Sequence, residues 1–407
     1  MSMAWRNIWR NKRRTAITVF GMAFGILLSV VITGMSSGAY GEMIDYAAHL
    51  GSGHLSIEHE GYRDSPQPAH HVQTPPELLD DLRATPGVRH VVSRVSAAGL
   101  LSTAHGNAGA AILGIDPTRE STSTMPILEA EASGATVNTL ESGGVWLGAG
   151  LLENLESRRG NKVVLTFTDP NGEVVTRLAR VTGVLETGAP SVDGGIAIIP
   201  LQDLRESLGY GDTDSTYEVV LLEDHRESAA VAARISARLE PPARALPWFM
   251  SQPELASFIA VDGSTGIIIQ FIVLLLLSAG VFNTIFVSVI ERRREFGILR
   301  AIGFSRAQIF RLVLAESAWL AALGGAVGAL ITVGPYLHLH EHGIDFSAMI
   351  QPGTEVSGVA MQPVLKVRLY PIQALRLMVV VVVATLVAGL VPAWSACKRT
   401  PAAVLRA

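Results

Sequence analysis

Four stretches of the chain are apolar for long enough to cross a membrane: residues 15–38, 266–290, 312–337 and 372–396. A span needs about 20 mainly apolar residues to cover roughly 30 Å of hydrocarbon. Basic residues ahead of the first stretch also describe a secretory leader. Its apolar run is longer than a leader's and contains recurring small residues, so it is expected to stay as a span. Between the first two stretches the pattern changes. Segments 53–59, 90–103, 109–116, 161–169, 172–186, 194–200 and 215–223 are rich in Val, Ile and Leu and bounded by Gly, Asp and Pro, which predicts strands. Residues 75–85 start with two prolines and predict a helix. Residues 225–239 predict a second, with Ala230, Ala233 and Ile235 near one face. Interleaved strands and helices predict a large α+β extracytoplasmic domain over 39–262, with one or two small sheets. Residues 251–263 lead straight into the second span, so a helix continuing from the domain into the membrane would couple the two mechanically.

Charge orients this layout. Arg6, Arg10, Lys12, Arg13 and Arg14 precede the first span; Arg292, Arg293, Arg294, Arg300, Arg306 and Arg311 fall between the second and third; Lys398, Arg399 and Arg406 follow the fourth. Lys and Arg accumulate on the cytoplasmic side. Both termini are therefore expected inside the cell, the 39–262 domain outside, and 338–371 as a short outer loop. Trp5, Ile8 and Trp9 share a helical face, which suits a short amphipathic helix over residues 1–14 at the headgroup layer. Only 17% of residues are charged and mean hydropathy is +0.35, whereas soluble domains carry about a quarter charged residues. A net charge of −4 excludes a generally basic nucleic-acid binder. The single cysteine, Cys397, excludes an internal disulfide.

No GxxxxGK[ST] phosphate loop, HExxH or GxSxG occurs in the 407 residues, so no catalytic residue or metal ligand is assigned. His49, His54 and His59 are spaced by five and share no helical or strand face, predicting a surface cluster. His338, His340 and His342 with Glu341 are read as a polar cap at the end of the third span, since a structural metal site wants four defined ligands. Gly21 and Gly25, Gly34 and Gly38, and Gly324 and Gly328 have the spacing that lets helices approach closely. Asn283 and Glu316 are polar at or near membrane depth and are expected to make structural hydrogen bonds; Glu316 is within reach of the arginines that precede its span.

Residues 291–311 carry the strongest signal. A charge patch, Glu291, Arg292, Arg293, Arg294 and Glu295, precedes an amphipathic stretch of Phe296, Ile298, Leu299 and Ile302, closed by Gly303. This predicts a short helix whose charges meet a soluble partner. The segment resembles the coupling-helix region of FtsX/MacB/LolC-type permeases, the type VII ABC transporters. The shared pattern is carried by Asn283, Glu291, Arg292, Arg293, Glu295, Gly297, Leu299, Arg300, Ala301, Gly303, Glu316, Gly324 and Gly325. The start AWRNIWRNKRRT resembles their N-terminal helix. The tail over 397–407, with Pro392, Ala393 and Ala396 before it and Pro401, Leu405 and Arg406 in it, resembles their C-terminus. Ile112 to Pro117 resembles a strand and turn of their periplasmic domain.

The resemblance implies an inner-membrane, non-catalytic permease subunit that works as a homodimer or with a paralogue. It implies docking on a separate ABC ATPase dimer, which would hold the ATP and Mg, through Glu291, Arg292, Arg293, Arg294, Glu295, Gly297, Leu299, Arg300, Gly303 and Phe304. The layout is most similar to the LolC/LolE group, implying lipoprotein release, contact with membrane lipid and a periplasmic carrier or adaptor. MacB-like efflux through an adaptor, or FtsX-like control of a cell-wall hydrolase, are the alternatives.

Overall fold

The computed structural model describes residues 5–7, 9–129, 140–351, 353–356 and 358–398. The chain divides into two compact units. One holds residues up to Ala39, Ala260–Phe346 and 364 onward; the other holds Tyr40–Ile259 and Ser347–Pro363.

Among the described residues, the Tyr40–Ile259 part of the second unit forms eleven strands: β1 (Leu55–His59), β2 (Val72–Gln73), β3 (Val88–Ser102), β4 (Asn107–Ile115), β5 (Gly144–Gly148), β6 (Lys162–Thr168), β7 (Val174–Leu185), β8 (Ile196–Pro200), β9 (Asp214–Ser215), β10 (Tyr217–Leu222) and β11 (Ala243–Pro247). Nine of them form one sheet in the order β11-β1-β10-β3-β4-β8-β5-β7-β6. That corrects the expectation of one or two small sheets. Strand β6 also pairs with β3, so β3, β4, β8, β5, β7 and β6 close on themselves as a six-stranded barrel.

The long strand β3 makes this possible. Its first half, to Arg94, pairs with β10 in an open sheet, and its second half, from Val95, pairs with β4 in the barrel. Alternation along β3 sends Val95, Ala97 and Leu101 into the barrel, where they meet Ile112, Val145, Leu147, Val163, Leu165 and Val181. Helices Pro76–Arg83 and Ser228–Ser236 pack Leu79, Leu82, Val231 and Ile235 on the open sheet through Ile57, Val91 and Val220. In the second of these the buried face is Ser228, Val231, Ala232 and Ile235; Ala230 and Ala233 point to solvent, so the expected face was rotated.

The helical unit contains the apolar stretches, and its helices run beyond the expected spans. They cover Lys12–Leu50, Pro253–Glu291, Arg306–His342 and Pro371–Lys398, all long and apolar enough to cross a membrane. The first and second helices contribute residues to both units. The expected loop 338–371 is not simple: the third helix continues to His342, Ile344–Asp345 pairs with Val364–Leu365, and residues 347–363 group with the α/β unit.

Within the helical unit, Met22, Ile26, Val281, Ile285, Val313, Leu320 and Val381 form the core. Gly324 and Gly328 let the first and third helices touch: a Cβ on Gly324 would strike Met22, and one on Gly328 would strike Ile26 and Ala23. Gly25 does the same for Leu277 of the second helix. Three glycines behave otherwise. Gly21 faces open space, while Gly34 and Gly38 lie against Val367 and the Lys366 carbonyl in the segment before the fourth helix. Asn283 is exposed; its neighbour Thr284 bonds Thr18 at 2.8 Å, and Gln270 donates to Ser29 at 2.9 Å.

Candidate functional site

The second long helix stops at Glu291 because Arg292 leaves helical geometry (φ −98°, ψ 18°). A nine-residue helix, Arg293–Ala301, follows. Gly303 ends it with φ +104°, a conformation that favours glycine, and the Gly303 amide donates to the Arg300 carbonyl. Ser305 then caps the third helix, bonding the Gln308 amide while the Gln308 side chain accepts from the Ser305 amide.

This geometry fixes Arg292. Its Nη1 donates to both carboxylate oxygens of Glu316, at 2.7 and 2.9 Å, and its Nε donates to Glu295 at 2.8 Å. The guanidinium lies 5.2 Å from the Phe296 ring centre. Only 8% of Arg292 is exposed. The expected reach of Glu316 toward the arginines is thus realised, but it takes Arg292 out of the solvent-facing set.

The N-terminal segment completes the network. Asn7 donates to Glu316 at 2.7 Å, Arg10 pairs with Glu295, and Arg14 pairs with Glu291 at 2.9 Å. Trp5 stacks edge-on against Trp319 of the third helix, with ring centres 5.0 Å apart, and against Trp9 at 5.8 Å. In the residues described, this N-terminal segment contacts its own unit while Trp5 and Trp9 stay exposed. Burial works to raise the Glu295 pKa, but hydrogen bonds from Arg292 and Arg10 outweigh it and hold the carboxyl below its ordinary value.

The remaining residues of the short helix divide between two faces. Arg293, Phe296, Gly297 and Arg300 recur at helical spacing and line one side of a cavity. Arg294, Ile298, Ala301 and Ile302 are exposed, Ile302 to 71%. Phe304 is also exposed and Leu299 is half-buried. Ile8, Arg399, Pro401, Leu405 and Arg406 lie outside the described residues.

A second arginine organises the α/β unit. Arg94 sits where β3 passes from the open sheet to the barrel, with no exposed surface. Its Nε donates to Glu120 at 2.7 Å. Its Nη1 donates to the His49, Leu50 and Gly51 carbonyls at 2.9, 3.3 and 2.7 Å. The last carbonyls of a helix lack internal partners, so Arg94 caps the end of the first long helix. Nothing in sequence spacing pointed to this residue.

The histidines also differ from expectation. His54 is buried rather than on the surface, its Nε2 3.0 Å from Asp45 and its Nδ1 accepting from the Leu222 amide. His49 touches it ring to ring, while His59 stacks on His70 instead. The His338 and His342 rings stack at 4.5 Å, and His340 bonds the Val367 carbonyl on another side. Among the described residues, no three His, Cys, Asp or Glu are grouped to hold a metal ion.

Comparisons with known proteins bear on the whole chain. A family model for the MacB-like periplasmic core domain matches residues 15–238, and one for the FtsX-like permease C-terminal domain matches 267–401. The lipoprotein-releasing system transmembrane protein LolC of Xylella fastidiosa is 22% identical, covering 96% of this chain and 92% of that protein. The ABC transporter permease YknZ of Bacillus subtilis is 26% identical over 82% of this chain and 84% of that one. The macrolide export ATP-binding/permease protein MacB of Agrobacterium fabrum is 22% identical, covering 88% of this chain and 56% of its own length. Among solved structures, the extracellular domain of YknZ aligns over 47% of this chain and 98% of that domain, at 16% identity and a TM-score of 0.33.

Proposed function

The chain belongs to the family of ABC permeases that join a MacB-like periplasmic core domain to an FtsX-like permease domain, and from that premise we propose that it transmits the motion of a separate ATPase into its α/β unit. The observation that carries this is the outward face of Arg293–Ala301. Ile298, Ile302 and Phe304 are exposed within a loop otherwise dense in charge. Apolar side chains there gain by entering a groove of a soluble partner, and the surrounding arginines steer an acidic one. Two continuous helices, Lys12–Leu50 and Pro253–Glu291, then carry displacement along the chain. The termini and short helix are cytoplasmic in this reading, the α/β unit lies outside, and the permease pairs with a second permease subunit.

The test is co-purification. Ile298→Asp with Ile302→Asp should lose the ATPase while membrane insertion and thermal stability stay as in the unaltered chain. Full retention of the ATPase would rule out docking through this face.

For cargo, we infer release of lipoproteins from the inner membrane, with a lipoprotein carrier or adaptor as the periplasmic partner. The support is similarity to LolC along nearly the full length of both chains, whereas the MacB relative is matched over about half its length. Depleting the protein should strand lipoproteins in the inner membrane. Normal lipoprotein sorting combined with loss of small-molecule export would replace this with the MacB-like reading.

A further inference from the structure

The inner face of the short helix carries different chemistry from its outer face. With the end of the second helix and a stretch of the fourth it encloses a cavity of about 150 Å³. Phe286, Val289 and Ile290 make an apolar wall, and Arg293 and Arg300 supply the charge. Arg300 Nη1 is buried without a hydrogen-bond partner, and neither arginine forms an ion pair among the described residues. The nearby acids are already engaged: Glu291 by Arg14, Glu295 by Arg10 and Arg292, Glu316 by Arg292 and Asn7. Ser395, also in the lining, donates its hydroxyl to the Pro392 carbonyl. Residues 399–407 contain no Asp or Glu that could fill the gap. Arg293 and Arg300 are each half-buried, and a buried N–H donor without an acceptor is rare, so the cavity lacks an acceptor for the Nη1 of Arg300.

We propose that this cavity binds the phosphate of an anionic membrane phospholipid. Two guanidiniums suit a phosphate because their forks donate paired hydrogen bonds to its oxygens. The apolar wall, formed by the last turns of a helix apolar enough to span a membrane, suits the glycerol and first methylenes of the same molecule. Basic pockets between helices at the membrane boundary recognise lipid headgroups in this way. An ATPase carboxylate would supply the charge but would leave the apolar wall uncovered. The site goes beyond ATPase docking, because the outer face of the helix serves the one and the inner face the other. A bound lipid would make the position of the short helix depend on membrane composition.

The experiment uses the full-length chain, delipidated in detergent, with cardiolipin, phosphatidylglycerol, phosphatidylcholine or inorganic phosphate added. Lipid retention is read by native mass spectrometry and stability by the apparent Tm. Cardiolipin and phosphatidylglycerol should bind and raise the Tm, and phosphatidylcholine should not. Arg293→Gln and Arg300→Gln should each weaken binding about fivefold, the worth of one arginine near an anionic surface, and together remove it. Arg294→Gln on the outer face should leave lipid retention and the lipid-dependent rise in Tm as in the unaltered chain. Arg293→Lys with Arg300→Lys, which keeps the charge if the glutamine pair fails to fold, should keep the preference for anionic lipid. The proposal is overturned if inorganic phosphate alone gives the full shift, if Arg294→Gln has the same effect, or if the lysine pair loses the preference. It is also overturned if the glutamine pair keeps its lipid and loses only the ATPase. The Ile298→Asp/Ile302→Asp variant should keep its lipid, so failure of the docking face and failure of this site are read separately.

Discussion

Each unit of this chain is tied together by a buried arginine at the end of a long helix, and the two ties are made differently. Arg94 in the α/β unit and its acid Glu120 have no exposed side-chain surface, and the other partners of Arg94 are main-chain carbonyls. Arg292 in the helical unit has only side-chain partners, Glu316 and Glu295, and Glu295 keeps 39% of its side chain in solvent. A guanidinium held by backbone cannot exchange partners without unwinding the helix end. One held by carboxylates, themselves shared with Asn7 and Arg10, can shift between them. The first arrangement is a fixed anchor for the helix Lys12–Leu50. The second is an adjustable joint beside the short helix that is proposed to receive the ATPase.

The largest test of this contrast is Arg94→Met. It strips one charge from a buried pair and leaves three helix-end carbonyls without their donor. Removing one partner of such a pair costs about 3–5 kcal/mol. The apparent Tm of the purified full-length chain should fall steeply. Adding Glu120→Leu should return part of the loss, because the uncompensated carboxylate is then gone. A drop no larger than that of a surface substitution would dismiss the anchor.

Glu316→Gln should cost less, about 2 kcal/mol, in the range for hydrogen bonds to a charged group. Arg292 still has Glu295, and an amide at position 316 still accepts from Asn7. Because this joint adjoins the short helix, the same change should also lower ATPase stimulation. Equal losses of stability in the Arg94 and Glu316 variants would erase the difference between anchor and joint.

Much of the architecture was legible because it rests on period and composition. The apolar runs, the charge bias and most strands of the sheet follow from local pattern, and so does the short helix closed by Gly303. What escaped depended on distant partners. Barrel closure needs β6 to find β3, a pairing of Ser102 with Val164 that no local pattern encodes. Strand β5, Gly144–Gly148, gives no local strand signal because only three apolar residues, Val145 to Leu147, stand between its glycines, shorter than the runs of about four to eight that mark a buried strand. Arg94 reads as an ordinary strand arginine until its contacts with residues 49–51 and 120 are seen. At the site, the pattern from Glu291 to Gly303 located the helix but assigned its residues to one surface. Counting turns separates 293, 296, 297 and 300 from 294, 298 and 302, yet only the cavity shows that the first set faces inward. Arg10 and Arg14 read as part of a basic flank and Asn7 gives no signal, since their acids lie some 280 to 310 positions away.

The smallest expected effect is the most specific probe of the joint. Glu295→Gln removes an exposed ion pair with Arg10 and a half-exposed one with Arg292, and pairs of this kind contribute about 0–1 kcal/mol. The sign with pH is fixed. The folded-state pKa of Glu295 lies below its ordinary value of 4.5, so its contribution is complete above that value and is lost as pH falls through the depressed one. The Tm difference between the unaltered chain and Glu295→Gln should therefore be constant near neutrality and close only in acid. The Arg94→Met/Glu120→Leu chain should instead stay a constant distance below the unaltered chain across the near-neutral range, because the backbone carbonyls left without a donor do not titrate. If instead the Glu295 difference grew as pH fell, protonation would be favouring the folded joint, and the carboxylate would not be what holds it.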